Sequence, residues 1–197
     1  MLKTFLKLNI KNFGSKCKMI KEIIVLSKMY AELLCYGIDV PKNKWILISI
    51  CSDKKDAMIR SNCVKKQLEK WGCVSWISLA FDDITKDLYK KIKQKRPDVM
   101  AKLFSKKDAK LIIDFLKKHK DNDEELTLIT HCHAGVSRSG AVGWFACNML
   151  GLDKNIFLQK NRTLYPNKHI LQTLESLAGT NPTSEDEYKK NFKTIDF

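Results

Sequence analysis

Arginine is scarce in this chain of 197 residues. Only four arginines stand among 36 basic residues, so lysine supplies nearly all of the formal net charge of +14. Arginine is preferred for bidentate contacts with phosphates and bases, so the charge alone does not predict a nucleic-acid-binding protein. We interpret the lysines as distributed along the chain rather than concentrated in one basic stripe. A positive field of this kind favours anionic substrates in general.

Long apolar runs and closely spaced cysteine pairs are missing too. The longest hydrophobic runs are too short to span a bilayer. The seven cysteines form an odd set without the spacing of zinc ligands, which argues against a disulfide framework and a zinc site. Buried, reduced thiols explain them best and indicate a cytoplasmic or other reducing intracellular compartment.

Strand and helix signals alternate from Ile20 onward. This alternation predicts an α/β fold in a single domain, with a central, mostly parallel sheet of about four to five strands flanked by helices. We predict an N-terminal extension over residues 1–18, a globular domain over residues 19–180 and a polar C-terminal tail over residues 181–197. The extension, which has lysines and no acidic residue, fits a disordered segment, a cleaved presequence or an amphipathic surface helix.

Several elements have recognisable ends. A buried strand is predicted over Lys44–Cys51 and a helix over Asp56–Gly72. Ser105, followed three residues later by an aspartate, predicts the start of another helix. If Asp83 belongs to a ligand site, the lysine-rich segment from there to Phe104 is an insertion beside that site, which closes over it or shapes it.

The stretch LTLITHCHAGVSRSG, residues 126–140, carries a chemical signal. An apolar strand ends at Cys132, a loop of small residues follows, and a long apolar helix begins at Arg138. Ligand sites of parallel sheets lie outside the carboxyl ends of the strands, which is where this pattern places the sulfur. The loop between the last strand and the following helix is therefore predicted to bind an anion.

Three features of this loop stabilise a thiolate. Successive backbone N–H groups form an anion-binding nest, the helix directs the positive end of its dipole into the loop, and Arg138 adds a permanent cation. The same groups bind a tetrahedral oxyanion above the sulfur, so the loop is preorganised for attack by sulfur on phosphorus. No cofactor or metal ion is expected, because sulfur, arginine and backbone N–H groups supply what a metal would.

The stretch HCHAGVSRSG resembles the signature of the cysteine-dependent protein phosphatases, His-Cys-x-x-Gly-x-x-Arg-Ser/Thr. It is most similar to the dual-specificity branch and to its compact bacterial-type relatives. The resemblance implies that Cys132 is the nucleophile of a phosphocysteine mechanism and that Ser139 assists release of the sulfur. It also implies that His131 orients the loop, that Asn167 begins a supporting helix, and that residues 19–180 form the phosphatase domain. The implied phosphate-binding residues are His133, Ala134, Gly135, Val136, Ser137 and Arg138.

A phosphatase of this type needs an aspartic acid that protonates the leaving oxygen. The stretch SLAFDDIT resembles the family's strand-then-acid arrangement, which maps the acid onto Asp83 with Asp82 beside it. The stretch KRPDVM resembles the acid loop of the larger tyrosine phosphatases and offers Asp98 instead. An acid at the end of a strand shares an edge with Cys132, so Asp83 is preferred, while Asp82 and Asp98 stay open.

The expected substrate is a phosphorylated protein, on tyrosine with or without serine and threonine. The loop lacks the lysines typical of inositide-directed relatives. A phosphoinositide, nucleotide, RNA 5′-phosphate or anionic lipid stays an alternative without a motif to support it. A pseudophosphatase that only binds phosphate is a second alternative. A thiol-redox enzyme is a third, and it requires a resolving cysteine, for which Cys147 is the candidate on the adjacent helix.

Overall fold

The fold is known from a computed structural model that describes residues 20–56, 58–59, 61–121 and 124–192. The extension predicted over residues 1–18 lies outside the described residues. Four strands form one sheet: β1 (Ile20–Ser27), β2 (Lys44–Cys51), β3 (Cys73–Ala80) and β4 (Leu126–Cys132). Eight α-helices occur in the described part of the chain: α1 (Lys28–Leu33), α2 (Asn62–Lys70), α3 (Lys86–Lys95), α4 (Lys106–Lys120), α5 (Arg138–Leu150), α6 (Lys154–Lys160), α7 (Lys168–Ala178) and α8 (Glu185–Asn191).

The sheet is parallel throughout, in the order β1-β4-β2-β3. The predicted α/β fold class with a central parallel sheet flanked by helices is confirmed. Because β4 lies between β1 and β2, residues that follow it are flanked by the ends of both neighbours. Ser27 of β1 pairs with Cys132, and Ser49 of β2 pairs with His131.

Helices cover both faces of the sheet, as the side-chain alternation of β2 shows. Ile46, Ile48 and Ile50 enter the larger core, while Trp45 and Leu47 enter a second core on the opposite face. The larger core contains residues of α4, α5, α6, α7 and α8, and the second contains residues of α1 and α2. A helix on each face is the usual way to bury a parallel sheet.

Two helices differ from the sequence interpretation. The helix predicted over Asp56–Gly72 begins only at Asn62, because the Ser61 hydroxyl caps it by accepting from the N–H of Val64. The polar tail contains α8, which was not anticipated. Tyr188 and Phe192 of this segment are buried in the larger core. The domain boundary at residue 180 stays a prediction. No helix within the described ranges is long and apolar enough to cross a membrane.

Candidate active site

Cys132 is the last residue of the central strand β4, and only 2% of its surface is exposed. Its Sγ accepts two hydrogen bonds, from the Gly135 N–H at 3.3 Å and from the Ser139 hydroxyl at 3.1 Å. The Thr130 hydroxyl donates to the Ser139 carbonyl at 3.1 Å and so ties the start of α5 to β4. Two hydrogen-bond donors, one from the loop and one from the first turn of α5, are therefore directed at the sulfur.

The carbonyls of the loop point outward, to backbone donors around it. The His133 carbonyl accepts from the Lys28 N–H at 3.0 Å, and the carbonyls of Val136 and Ser137 each accept at 3.2 Å from the segment before α7. The C=O and the next N–H of a planar trans peptide point in opposite directions. The N–H groups that follow these carbonyls, those of residues 134, 137 and 138, therefore face the inside of the loop.

Ser137 occupies the N-cap position of α5 but does not cap it. All seven other α-helices of the described part have an N-cap side chain that accepts from a backbone N–H. The Ser137 hydroxyl instead donates to Asp83 Oδ1 at 2.7 Å. The first N–H groups of α5 are thus left without a side-chain partner, at the positive end of the helix dipole.

Gly135 lets the loop lie directly on the end of β1. It has a φ of +76°, and a Cβ built on it would stand 2.5 Å from the Ser27 nitrogen and 2.6 Å from the Leu26 carbonyl carbon. Any other residue would meet rigid backbone as well as an unfavourable left-handed conformation. The glycine of the signature is explained by this close approach.

Arg138 is 5% exposed and is held by one of its terminal nitrogens. Nη1 donates to the Ser52 hydroxyl and to the Phe81 carbonyl, both at 2.9 Å. The buried Nε has no hydrogen-bond partner within the described residues. A buried, unpaired guanidinium N–H is costly unless a ligand satisfies it. The side chain lines a cleft of about 410 Å³ together with Lys28, Ile50, Cys51, Ser52, Asp56, His131 and His133.

His131 lies behind the loop and is 2% exposed. Its Nε2 is 2.8 Å from the Ser49 hydroxyl on the paired strand β2. Burial lowers the pKa of His131 to about 4, so the imidazole is neutral at neutral pH. A neutral ring fixed to a neighbouring strand can position the residue before Cys132 without carrying charge. Its orienting role stays a prediction.

The three candidate acids lie in different surroundings. Asp83 accepts at Oδ1 from Ser137 and from the Asn167 side-chain amide at 2.8 Å, which places it at the edge of the loop. Asp82 points elsewhere, because its carboxylate accepts from the Lys102 N–H at 2.7 Å. Asp98 forms an exposed ion pair with Arg96 at 3.4 Å. Only Asp83 is joined by hydrogen bonds to the loop that contains Cys132.

Asn167 has two functions in this arrangement. Its Oδ1 caps α7 by accepting from the N–H groups of His169 and Ile170, as its predicted N-cap position requires. Its amide nitrogen holds Asp83. The contacts of Ser49 with His131, of Ser52 with Arg138 and of Asn167 with Asp83 join residues 82 to 86 positions apart, and the sequence contains no local signal for them.

Cys147 does not have the surroundings of a resolving cysteine. It is buried within α5, its thiol donates to the Leu152 carbonyl, and burial raises its pKa to about 11. It follows Arg138 by nine residues, which is roughly 13 Å along a helix. The thiol-redox alternative therefore loses its candidate. No group of three or more residues suited to hold a metal ion occurs among the residues that the structure describes.

No protein-family model matches the sequence, and a search of curated proteins finds no match. Among solved structures, the human tyrosine phosphatase-like serine/threonine/tyrosine-interacting protein aligns at 13% identity over 78% of this chain and 85% of its own, with a TM-score of 0.38. The PTP-2 phosphatase of Cydia pomonella aligns at 16% over 81% and 87%, with a TM-score of 0.39. Tk-PTP in its active form aligns at 13% over 82% and 94%, with a TM-score of 0.40. Similarity at this level carries no conclusion about activity.

Proposed function

We propose that the chain is a phosphomonoester hydrolase of the tyrosine or dual-specificity type, acting through a phosphocysteine on Cys132. The observation that carries this proposal is the loop between Cys132 and Arg138, at the uncapped start of α5. One short loop brings together a hydrogen-bonded sulfur, inward N–H groups and a buried arginine with an unsatisfied Nε. Such a site is complementary to a phosphoryl group above a thiolate.

In the first step the Cys132 thiolate attacks phosphorus and forms an S–P bond as the P–O bond to the leaving group breaks. The bond electrons go to the leaving oxygen, which takes a proton from Asp83. Both hydrogen bonds that reach Asp83 end on Oδ1, so they orient the carboxyl group with Oδ2 available for the proton. Arg138 and the loop N–H groups stabilise the charge on the phosphoryl oxygens throughout.

In the second step water attacks the phosphocysteine and the S–P bond breaks. Asp83, now a carboxylate, accepts the proton of the water, and the sulfur leaves as a thiolate. The Ser139 hydroxyl, 3.1 Å from Sγ, stabilises that leaving thiolate by donating to it. His131 is assigned no proton transfer, because its ring is buried behind the loop and its Nε2 is bonded to the Ser49 hydroxyl.

The substrate class that fits best is a phosphorylated protein. The side chains within the loop, from His133 to Ser137, include no lysine that would select a highly charged inositide headgroup. The exposed edge beside Asp83 leaves room for a peptide to extend away from the phosphorylated residue. A phosphatase acting on a non-protein substrate would use the same chemistry, and the hydrolysis test includes it.

The test is hydrolysis of p-nitrophenyl phosphate and of a phosphotyrosine peptide by the wild type and by Cys132→Ser. The wild type is expected to hydrolyse both, and Cys132→Ser neither. Absence of activity in the folded wild type toward a panel of aryl, peptide and nucleotide phosphates would overturn the enzymatic proposal in favour of a phosphate-binding protein. Activity that survives in Cys132→Ser would overturn the mechanism.

A further inference from the structure

The positive charge of the chain is less evenly spread than the sequence interpretation stated. Residues 86–107 contain nine lysines and arginines against two aspartates, a net charge of +7, which is half of the formal total of +14. This stretch comprises α3, the connection to α4 and the first residues of α4. Helix α3 has no buried residue, so its charges face solvent.

Part of this stretch forms a groove with α7. Two adjoining cavities of about 480 and 220 Å³ share Lys86, Lys106, His169 and Thr173 as lining residues. Lys102, Tyr89 and the mostly apolar residues 101 and 103–105 also line the larger cavity, and no aspartate or glutamate lines either cavity. Burial, followed by the charge of Lys86, lowers the pKa of His169, whose ring is bonded to the Phe104 carbonyl.

The lysines of this groove differ from the lysines that form close ion pairs elsewhere in the described residues. Lys44, Lys110, Lys154 and Lys168 each lie within 3 Å of a carboxylate oxygen. Lys86, Lys102 and Lys106 are exposed, and none of them forms an ion pair within the described residues. Three unneutralised ammonium groups around one recess favour an anionic ligand.

The groove adjoins the candidate active site through two connections. Asp82, the neighbour of the proposed acid, exchanges backbone and side-chain hydrogen bonds with Lys102. Asn167, which holds Asp83, is two residues before His169. The groove is therefore joined by hydrogen bonds and short chain segments to the residues around Asp83.

We propose that this groove is a specificity subsite that binds an anionic group of the substrate, a few residues from the phosphorylated side chain. The subsite rests on the proposed phosphatase function and narrows it to phosphopeptides with acidic flanks. The anionic group is a carboxylate or a second phosphoryl group, because an ammonium cluster attracts both and has no fork geometry to distinguish them. Charge complementarity with the carboxylate-free wall is what selects this occupant.

The test compares kcat/KM for a set of phosphotyrosine peptides. One carries glutamines at the flanking positions, two carry glutamates on the amino-terminal or the carboxyl-terminal side, and a fourth carries a phosphoserine. We expect about fivefold preference for at least one anionic peptide over the glutamine peptide, decreasing with added salt. Preference for glutamate or for phosphoserine identifies the anionic group.

The decisive variant is Lys86→Gln/Lys106→Gln, which removes two ammonium groups that line both cavities. Its matched control is Lys117→Gln/Lys118→Gln, with the same change in charge at exposed positions in the last turn of α4. The groove variant is expected to lose most of the preference, while the control keeps it; thermal melting checks that both are folded.

The subsite is contradicted if the wild type hydrolyses p-nitrophenyl phosphate yet treats all four peptides alike. Equal loss of preference in both double variants would also contradict it, because only net charge would then matter. A wild type that hydrolyses no phosphate ester at all overturns the underlying phosphatase proposal instead, so the two failures are distinguishable.

Discussion

The two sides of the loop after β4 are built in different ways. On the strand side, Cys132, His131, Arg138 and Ser139 are at most 5% exposed, and each is fixed by hydrogen bonds to the sheet or to the loop. On the outer side, Asp83 is exposed but held by two hydrogen bonds, while the lysines around His169 are exposed and form no ion pair within the described residues. The hydrogen-bonded groups suit chemistry that must be positioned closely, and the exposed lysines suit recognition of a varied ligand.

The largest effect is expected from Arg138→Lys on the buried side. Lysine keeps the charge but cannot reproduce the guanidinium, which donates through Nη1 to Ser52 and Phe81 and leaves Nε for the oxyanion. We expect kcat/KM for p-nitrophenyl phosphate to fall about 10³-fold. The matched control is Arg162→Lys at an exposed position, which should stay within about twofold of the wild type. Equal effects of both changes would contradict the assignment.

Asp83→Asn tests the outer side of the loop. The variant cannot protonate the leaving oxygen, so kcat for a phosphoserine peptide should fall about 10²- to 10³-fold. The loss should be smaller with p-nitrophenyl phosphate, because nitrophenolate leaves without a proton. Asp82→Asn and Asp98→Asn serve as controls and should change kcat less than about threefold, since these side chains bind Lys102 and Arg96 instead. The proposed acid is wrong if either control loses as much.

Gly135→Ala tests whether the close contact between loop and sheet matters. A Cβ there would press on the backbone of Ser27, so we expect a loss of about 3 kcal/mol in the free energy of unfolding and at least tenfold in kcat/KM. Gly179→Ala is the matched control: its φ is +66°, but nothing lies within 4 Å of the added Cβ. It should cost about 1 kcal/mol and leave kcat/KM unchanged. Similar losses in both variants would mean that backbone conformation alone is responsible.

The smallest expected effect is the pH dependence of stability from His131. Its pKa is about 4 in the folded protein and about 6.5 when unfolded, so the unfolded chain binds the extra proton between these values. The stability that comes from keeping His131 neutral is fully present above pH ~6.5 and is lost as pH falls toward 4. The free energy of unfolding then decreases by about 2–3 kcal/mol. Urea unfolding at several pH values should therefore show a shallower decline for His131→Gln. Identical slopes would contradict the buried neutral imidazole; His119 and His169, whose pKa values are also lowered, are unchanged in this comparison.

The sequence predicted local features of this molecule better than distant ones. The strand Lys44–Cys51 has its predicted ends and helix α5 begins at its predicted residue, Arg138, because the apolar pattern and the loop chemistry are local. The strand order depends on contacts between distant segments, and no single-sequence pattern encodes it. Helix α8 was missed because only Tyr188 and Phe192 of a polar segment are buried.

In the candidate site, too, residues within one short segment could be predicted better than contacts between distant segments. Cys132 and Arg138 could be recognised within seven consecutive positions, whereas the sequence left the choice among the aspartates open. The strand-end position already favoured Asp83 over Asp98 in the sequence, and the contacts with Ser137 and Asn167 distinguish Asp83 further. The groove beside α7 was hidden for the same reason, because its lysines come from α3, α4 and the segment between them.

The central claim is that the phosphoryl group passes through the sulfur of Cys132. Ser139→Ala should slow release of that sulfur, so an acid-quenched single turnover of this variant should accumulate a covalent phosphoryl group. Peptide mapping by mass spectrometry is predicted to place it on Cys132, and the double variant Cys132→Ser/Ser139→Ala should carry none. A phosphoryl group on a histidine, or turnover without any covalent phosphoryl species, would contradict the account.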